Sequence, residues 1–185
     1  VIWGSCMVAC GDADAMVTGN TRRYGQSLQK ITKVVPPRPG EIMFGLNMIV
    51  NKGKTVFIGD TSVHEYPSSK ELAEIAISSA RVVRLFGFTP KVAFLSHSTF
   101  GQPMTSRTKH IRDAVEILRE KQVDFKFDGD MQPDVALNEE YKELYPMSEI
   151  VGNANVLIMP GQHSAAISYK IMKEMSSSKV IGPLL

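Results

Sequence analysis

Apolar and polar positions along this chain fall into short blocks whose period alternates between about two and about 3.6 residues. Val1 to Cys10 is almost wholly apolar and predicts a short helix that stops at Gly11. Asp12 to Thr18 alternates and predicts a short strand. Tyr24, Leu28 and Ile31 fall at near-helical spacing and predict a helix within Thr21–Val35. That helix must end at Pro36-Pro37-Arg38-Pro39-Gly40, the clearest linker in the chain. Two apolar runs, 42–50 and 55–58, flank Asn51-Lys52-Gly53-Lys54, a hairpin signal. Ser68-Ser69-Lys70-Glu71 predicts an N-cap, with a long amphipathic helix running to about Phe86 and stopping at Gly87. Strand and helix then alternate: strand 92–95, helix 109–121, strand 125–128, helix 133–144, strand 156–159, helix 164–175 and strand 179–181.

This alternation argues for an α/β chain, doubly wound, with a mostly parallel sheet. Neither an internal repeat nor a low-complexity segment interrupts it. At 185 residues the chain can bury one good core, or a large lobe and part of a second. The formal charge of +2 is too small to point to nucleic acid or a membrane surface. No apolar run approaches the ~18 residues that span a bilayer. The first ten residues lack the basic start of a signal peptide. The missing initiator Met, and an end at Leu184-Leu185 just after a predicted strand, lead us to expect part of a longer protein. Cys6 and Cys10, on one helix face, read as reduced thiols of a cytosolic protein.

Ser96-His97-Ser98-Thr99-Phe100-Gly101 is the stretch richest in chemistry. It follows a buried strand, and open α/β sheets bind ligands at the carboxyl ends of their strands. Its hydroxyls could donate to anionic oxygens, and Gly101 would allow close backbone approach. Equally, it could be a polar connection that caps the next helix. Gly53-Lys54-Thr55 resembles the end of a phosphate-binding loop, but Met48 stands where the first Gly should be and no helix follows. Asp12/Asp14 and Asp128/Asp130 are Asp-x-Asp pairs without further oxygen ligands at recognisable spacing, so they read as caps of backbone donors. His97 and His163 each lie just past an apolar strand. His163, in Met159-Pro-Gly-Gln-His-Ser-Ala-Ala166, opens onto a helix start that could offer donors to an anion. Arg22 and Arg23 open the first predicted long helix and could grip a phosphate, or could simply be solvated.

Several stretches together resemble the phosphate acetyl/butyryltransferase family. They are Asp12-Ala-Asp-Ala-Met-Val-Thr-Gly19, Leu72-Ala-Glu-Ile-Ala-Ile77, Val92-Ala-Phe-Leu-Ser-His-Ser-Thr99 and Asp128-Gly-Asp-Met-Gln132, followed by Gly152-Asn-Ala-Asn-Val-Leu-Ile-Met-Pro160 and Ile181-Gly-Pro-Leu-Leu185. Within the family, Ser96-His-Ser-Thr-Phe-Gly101, Phe57-Ile-Gly-Asp-Thr-Ser-Val63 and His163-Ser-Ala-Ala-Ile-Ser168 are most similar to the C-terminal phosphotransacetylase-like domains of bacterial multidomain NADP-dependent malic enzymes. Two departures stand out. Transacetylases often carry Lys-Gly where this chain has Phe100-Gly101, and the family's Ser-Arg-Gly segment would lie beyond Leu185. The family's catalytic arginine matches Arg22 or Arg23 only approximately, after a shorter loop.

The resemblance implies two α/β lobes around a cleft, as in isocitrate dehydrogenase, with residues 1–58 part of the first lobe and 59–185 the second. It implies an acyl-CoA and phosphate site made from Arg22, Arg23, Ser96, His97, Ser98, Thr99, Asp128, Gln132, His163 and Ser164. Those from the second lobe should face one cavity, with the arginines reaching it from the first. No metal ligand or catalytic residue is assigned in this stretch. The expected ligand is acetyl-CoA, acting as an allosteric effector. NADP and a divalent metal would belong to malic domains elsewhere, and no Gly-x-Gly-x-x-Gly fingerprint occurs here. Self-association as a homodimer or larger, a cytoplasmic location, and no nucleic-acid or membrane partner complete the expectation. Two alternatives stay open: a phosphate acetyltransferase cut short, and a purely structural dimerisation module.

Overall fold

Ser68 and Glu71 make the reciprocal cap that the Ser-x-x-Glu spacing predicts. The Ser68 hydroxyl accepts from the Glu71 N–H at 3.2 Å, and the Glu71 carboxylate accepts from the Ser68 N–H at 2.6 Å. They start α3 (Ser69–Leu85), and Gly87, at φ 82, ends it. The computed structural model describes residues 1–19 and 21–185. Its other elements are α1 (Ile2–Cys10), α2 (Tyr24–Val34), β1 (Leu46–Asn51), β2 (Lys54–Gly59), β3 (Lys91–Leu95), α4 (Ser106–Glu120), β4 (Lys126–Met131), α5 (Pro133–Leu137), β5 (Val156–Ile158), α6 (Gln162–Ser176) and β6 (Lys179–Leu184).

The chain divides into two compact units, Val1–Met43 and Phe44–Leu185. In the first, α1 and α2 pack together, and the Met16 side chain lies so close over Gly4 that a Cβ there would stand 2.6 Å from its sulfur. Residues 12–18 form no strand, in contrast to the alternation read in the sequence. They have no neighbouring strand to pair with, and most are exposed.

The second unit holds a six-stranded sheet of order β4-β3-β5-β2-β1-β6. The pairs β4–β3, β3–β5 and β5–β2 are parallel, while β1 runs antiparallel to both β2 and β6. Five of the six strands therefore point the same way. The β1–β2 turn uses Lys52 and Gly53, both at positive φ, which the twist of a two-residue hairpin requires. This hairpin belongs to the sheet, so the division expected after residue 58 falls inside β2.

Helices cover both faces. Gly59 permits α3 to approach closely, because a Cβ there would lie 2.9 Å from the Ser79 hydroxyl. Phe57, fully buried on that face, touches the rings of Phe86 and Phe88. Ile58, Ala93, Leu95 and Leu157 join the other layer of the core with Val135, Ala136 and Ala165. The helix expected over 133–144 is split. It runs as α5, breaks at Asn138, whose side chain accepts from the Glu140 N–H, and continues as a 3₁₀ turn over Glu139–Glu143. No helix among the described residues is long and apolar enough to cross a membrane.

Candidate functional site

β3 and β5 are neighbours, yet the chain leaves them in opposite directions: β3 leads through α4 to β4 on one side, β5 through α6 to β6 on the other. Such a switch point opens a crevice at the carboxyl edge of the sheet. A cavity of about 640 Å³ lies there, entirely within the second unit. Leu95, Ser96 and His97 come from the end of β3, Met159 to Gly161 from the end of β5, and Glu65 to Pro67 from the connection after β2. Arg107, His110 and Ile111 project from the first turns of α4, and His163, Ser164 and Ser168 from α6.

Local hydrogen bonds fix this frame. The Gln162 N–H donates to the His64 carbonyl at 3.1 Å, which ties the start of α6 to the connection after β2. Gly161 is required there, since a Cβ would lie 2.4 Å from the Glu65 carbonyl oxygen. Nε2–H of His110 donates to the Pro67 carbonyl at 2.8 Å, while Nδ1 lies 2.9 Å from the Ser69 hydroxyl. His163 Nε2 and Glu65 Oε1 are 3.3 Å apart, both largely exposed. Arg107 forms no hydrogen bond or ion pair among the described residues. The cavity thus offers one unpaired guanidinium, three imidazoles and a single carboxylate above an apolar floor of Leu95, Ile111 and Met159.

Behind the wall sits Asp60, 1% exposed. Burial alone would push its carboxyl up. The His64 ring and the backbone N–H groups of Ser62, Gly45 and His64 outweigh burial and hold it below its ordinary value. His64 responds in the opposite sense: its hydrogen bond to Asp60 raises its pKa against the opposing effect of burial.

Four of the expected residues, Ser96, His97, His163 and Ser164, line this one cavity. The others do not join them. Ser98 is fully buried and donates to the Asp130 carboxylate. Thr99 is buried too, and its hydroxyl accepts from the Gln132 N–H at 3.3 Å. Gln132 is the exposed residue that starts α5. Asp128 faces a separate, smaller cavity of about 290 Å³ beside Arg119, 3.4 Å away. The expectation of a single shared cavity fails for Asp128 and Gln132, which stand on β4 and at the start of α5 outside its lining, and for Ser98 and Thr99 because their loop folds back onto the end of β4. Ser96 N–H donates to the Met131 carbonyl, Phe100 N–H to the Asp130 carbonyl, and Gly101 N–H to the Asp130 side chain. Arg22 and Arg23 lie at the exposed start of α2, in the first unit.

Arg107, His110 and Asp60 are the residues that pattern reading missed, whereas Asp130, read as a cap of backbone donors, accepts the Gly101 N–H. Asp60 and His64, one turn apart just past a buried strand, were a usable signal. Nothing in the spacing pairs Ser98 with Asp130, 32 positions away.

Comparison with known proteins follows the same geometry. The sequence profile of the phosphate acetyl/butaryl transferase family matches residues 1–185. An NADP-dependent malic enzyme of Rhizobium meliloti (strain 1021) is 46% identical over 183 residues, which cover 99% of this chain and 24% of that protein. A phosphate acetyltransferase of Bacillus subtilis (strain 168) is 32% identical over 185 residues, 99% of this chain and 57% of that protein. A phosphotransacetylase structure from Streptococcus pyogenes superposes with a TM-score of 0.91 at 29% identity, covering 99% of this chain and 57% of that one. The chain therefore spans about a quarter of that malic enzyme and just over half of the transacetylases. With a profile match from end to end and a ligand-sized crevice at the β3/β5 switch point, this chain belongs to the phosphate acetyl/butaryl transferase family.

Proposed function

We propose that this chain is the phosphotransacetylase-like regulatory and assembly domain of an NADP-dependent malic enzyme, and that it binds acetyl-CoA as an allosteric effector in the β3/β5 cavity. The observation that carries this reading is the match to a malic enzyme over 99% of the chain at 46% identity, against 32% for a phosphate acetyltransferase. The cavity's chemistry supports it. An apolar floor suits an acyl-pantetheine arm, and Arg107 with His97 and His163 suits phosphates at the mouth. NADP and a divalent metal would act in malic domains outside this stretch. The protein would be cytoplasmic and self-associating, with the exposed Ile167, Ile171 and Met175 face of α6 meeting a second copy.

A second reading, a catalytic phosphate acetyltransferase, draws on the 0.91 TM-score to a phosphotransacetylase. Phe100 weighs against it. Its ring packs 5.5 Å from Tyr145 and supplies no cation where transacetylases often carry one. The test is malate-dependent NADPH formation by the full-length malic enzyme that carries this domain, titrated with acetyl-CoA. The rate should respond saturably, and Arg107→Ala should weaken the response at least ~10-fold. An acetyl-CoA-insensitive rate in the unaltered enzyme overturns the regulatory reading.

A further inference from the structure

Ser96, Ser98 and Asp130 form a line that runs from the cavity wall into the sheet. Ser96 lines the cavity, while Ser98 and Asp130 are both fully buried. Hydrogens along this line can be counted. Asp130 Oδ1 accepts from the Gly101 N–H at 3.0 Å, and Oδ2 accepts from the Ser98 hydroxyl. A serine hydroxyl has one hydrogen to give. Ser98 has spent its own on Asp130, so in the 3.0 Å contact between the two hydroxyls Ser96 must be the donor. The Ser96 oxygen also accepts from the Ser98 N–H at 3.3 Å. What remains on Ser96 is one lone pair and no hydrogen.

We propose that Asp130 is a positioning residue which, through Ser98, makes Ser96 a hydrogen-bond acceptor toward the cavity, so that this point takes a donor group of the ligand (N–H, O–H or S–H) and disfavours a phosphate oxygen. Resting on the acyl-CoA reading of the cavity, it assigns the polarity of that site. The pantetheine arm of an acyl-CoA carries donors, two amide N–H groups and a hydroxyl, with further donors only on the adenosine; the unacylated coenzyme adds its thiol. Phosphate oxygens are acceptors and meet a lone pair at Ser96. The loop therefore does not use its serines as anion donors, although its composition suggests that it would. The pantetheine arm sits at the β3 end of the cavity, and the phosphates are left to Arg107 and the histidines.

Asp130→Asn reverses the line without changing its shape. The Asn oxygen still accepts from Gly101, but its amide now donates to Ser98. Ser98 then donates to Ser96, and the Ser96 hydrogen turns into the cavity. Titrations with pantetheine and with inorganic phosphate read this directly. Relative to wild type, Asp130→Asn should bind pantetheine about three- to tenfold more weakly and phosphate more tightly by a similar factor, the worth of one hydrogen bond. Ser98→Ala, which frees Ser96 to rotate, should lose pantetheine affinity and gain less for phosphate. If both variants shift the two probes in the same direction, or shift neither, the proposal is overturned. Neutron diffraction from the unliganded protein gives a readout independent of any ligand, and of whether Asp130→Asn folds. Deuterium on Ser96 should lie along the line to Ser98, and deuterium pointing into the cavity overturns the proposal. Wild-type protein that binds no pantetheine, yet shows the deuterium in place, would sink the acyl-CoA reading and leave the polarity of Ser96 standing.

Discussion

Asp60 Oδ2 lies 2.8 Å from His64 Nδ1, one residue buried and the other half-buried, in the connection after β2 whose Glu65 to Pro67 line the cavity. The same carboxylate also accepts the backbone N–H groups of Gly45, Ser62, Val63 and His64. One side chain thus shapes the whole connection after β2. Removing it strands several buried donors, so Asp60→Ala should cost about 3–5 kcal/mol in chemical denaturation. A loss below about 1 kcal/mol would contradict the assigned role.

The same pair sets a pH dependence. His64 is raised above its unfolded value of 6.5, so its contribution is full below that pH and is lost as pH rises through the folded value. Asp60 is lowered from 3.8, so its contribution is present above that pH and lost as pH falls through the folded value. His64→Gln should therefore lose more stability, relative to wild type, at about pH 5.5 than at about pH 8.5. Equal losses at the two pH values would count against a charged His64 in the folded state.

Gly161→Ala tests the cavity frame. The added methyl would press on the Glu65 carbonyl and push the start of α6 away from the connection after β2. A loss of about 1–3 kcal/mol is expected, with weaker acetyl-CoA binding because Glu65 to Pro67 and His163 line the same space. Unchanged stability and affinity would show that the two segments are free to separate.

Phe100 stands at φ 49 within the tight turn Thr99–Gln102, its ring against Tyr145. A bulky residue at positive φ is uncommon, and here it is held by packing rather than by a charge. The chain should show no coenzyme A-dependent turnover of acetyl phosphate in a coupled assay. Turnover above the buffer rate would favour the transacetylase reading.

Light scattering tests self-association. Ile167, Ile171 and Met175 follow helical spacing along the exposed face of α6. A dimer or larger is expected at micromolar concentration, and Ile171→Glu should shift it toward monomer. Wild type that is monomeric throughout would contradict an assembly role.

Much of the second unit was legible because its signals are local. The Ser68/Glu71 cap, the Lys52-Gly53 turn and the apolar cores of β3 and β5 each depend on residues within a few positions. Residues 12–18 misled for a related reason: alternation describes a strand only when a partner strand exists, and pairing is not local. Sheet order, and with it the switch point, depends on contacts far apart in sequence. The histidines past β3 and β5 could be found from strand ends alone. Arg107 could not, because two residues into α4 it looks like any solvated helix start. Ser98 looked like a ligand donor until Asp130 was found beneath it.

Isothermal titration of acetyl-CoA into this chain, beside the Arg107→Ala variant, tests the central claim most directly. Arg107 is the unpaired cation of the cavity, and a charge-assisted contact to phosphate is worth about 1.5–3 kcal/mol. Saturable one-site binding is expected for the wild type, weakened at least ~10-fold in Arg107→Ala. A wild type that gives no binding isotherm, or an Arg107→Ala variant that binds as tightly as wild type, would contradict the β3/β5 cavity as the acyl-CoA site.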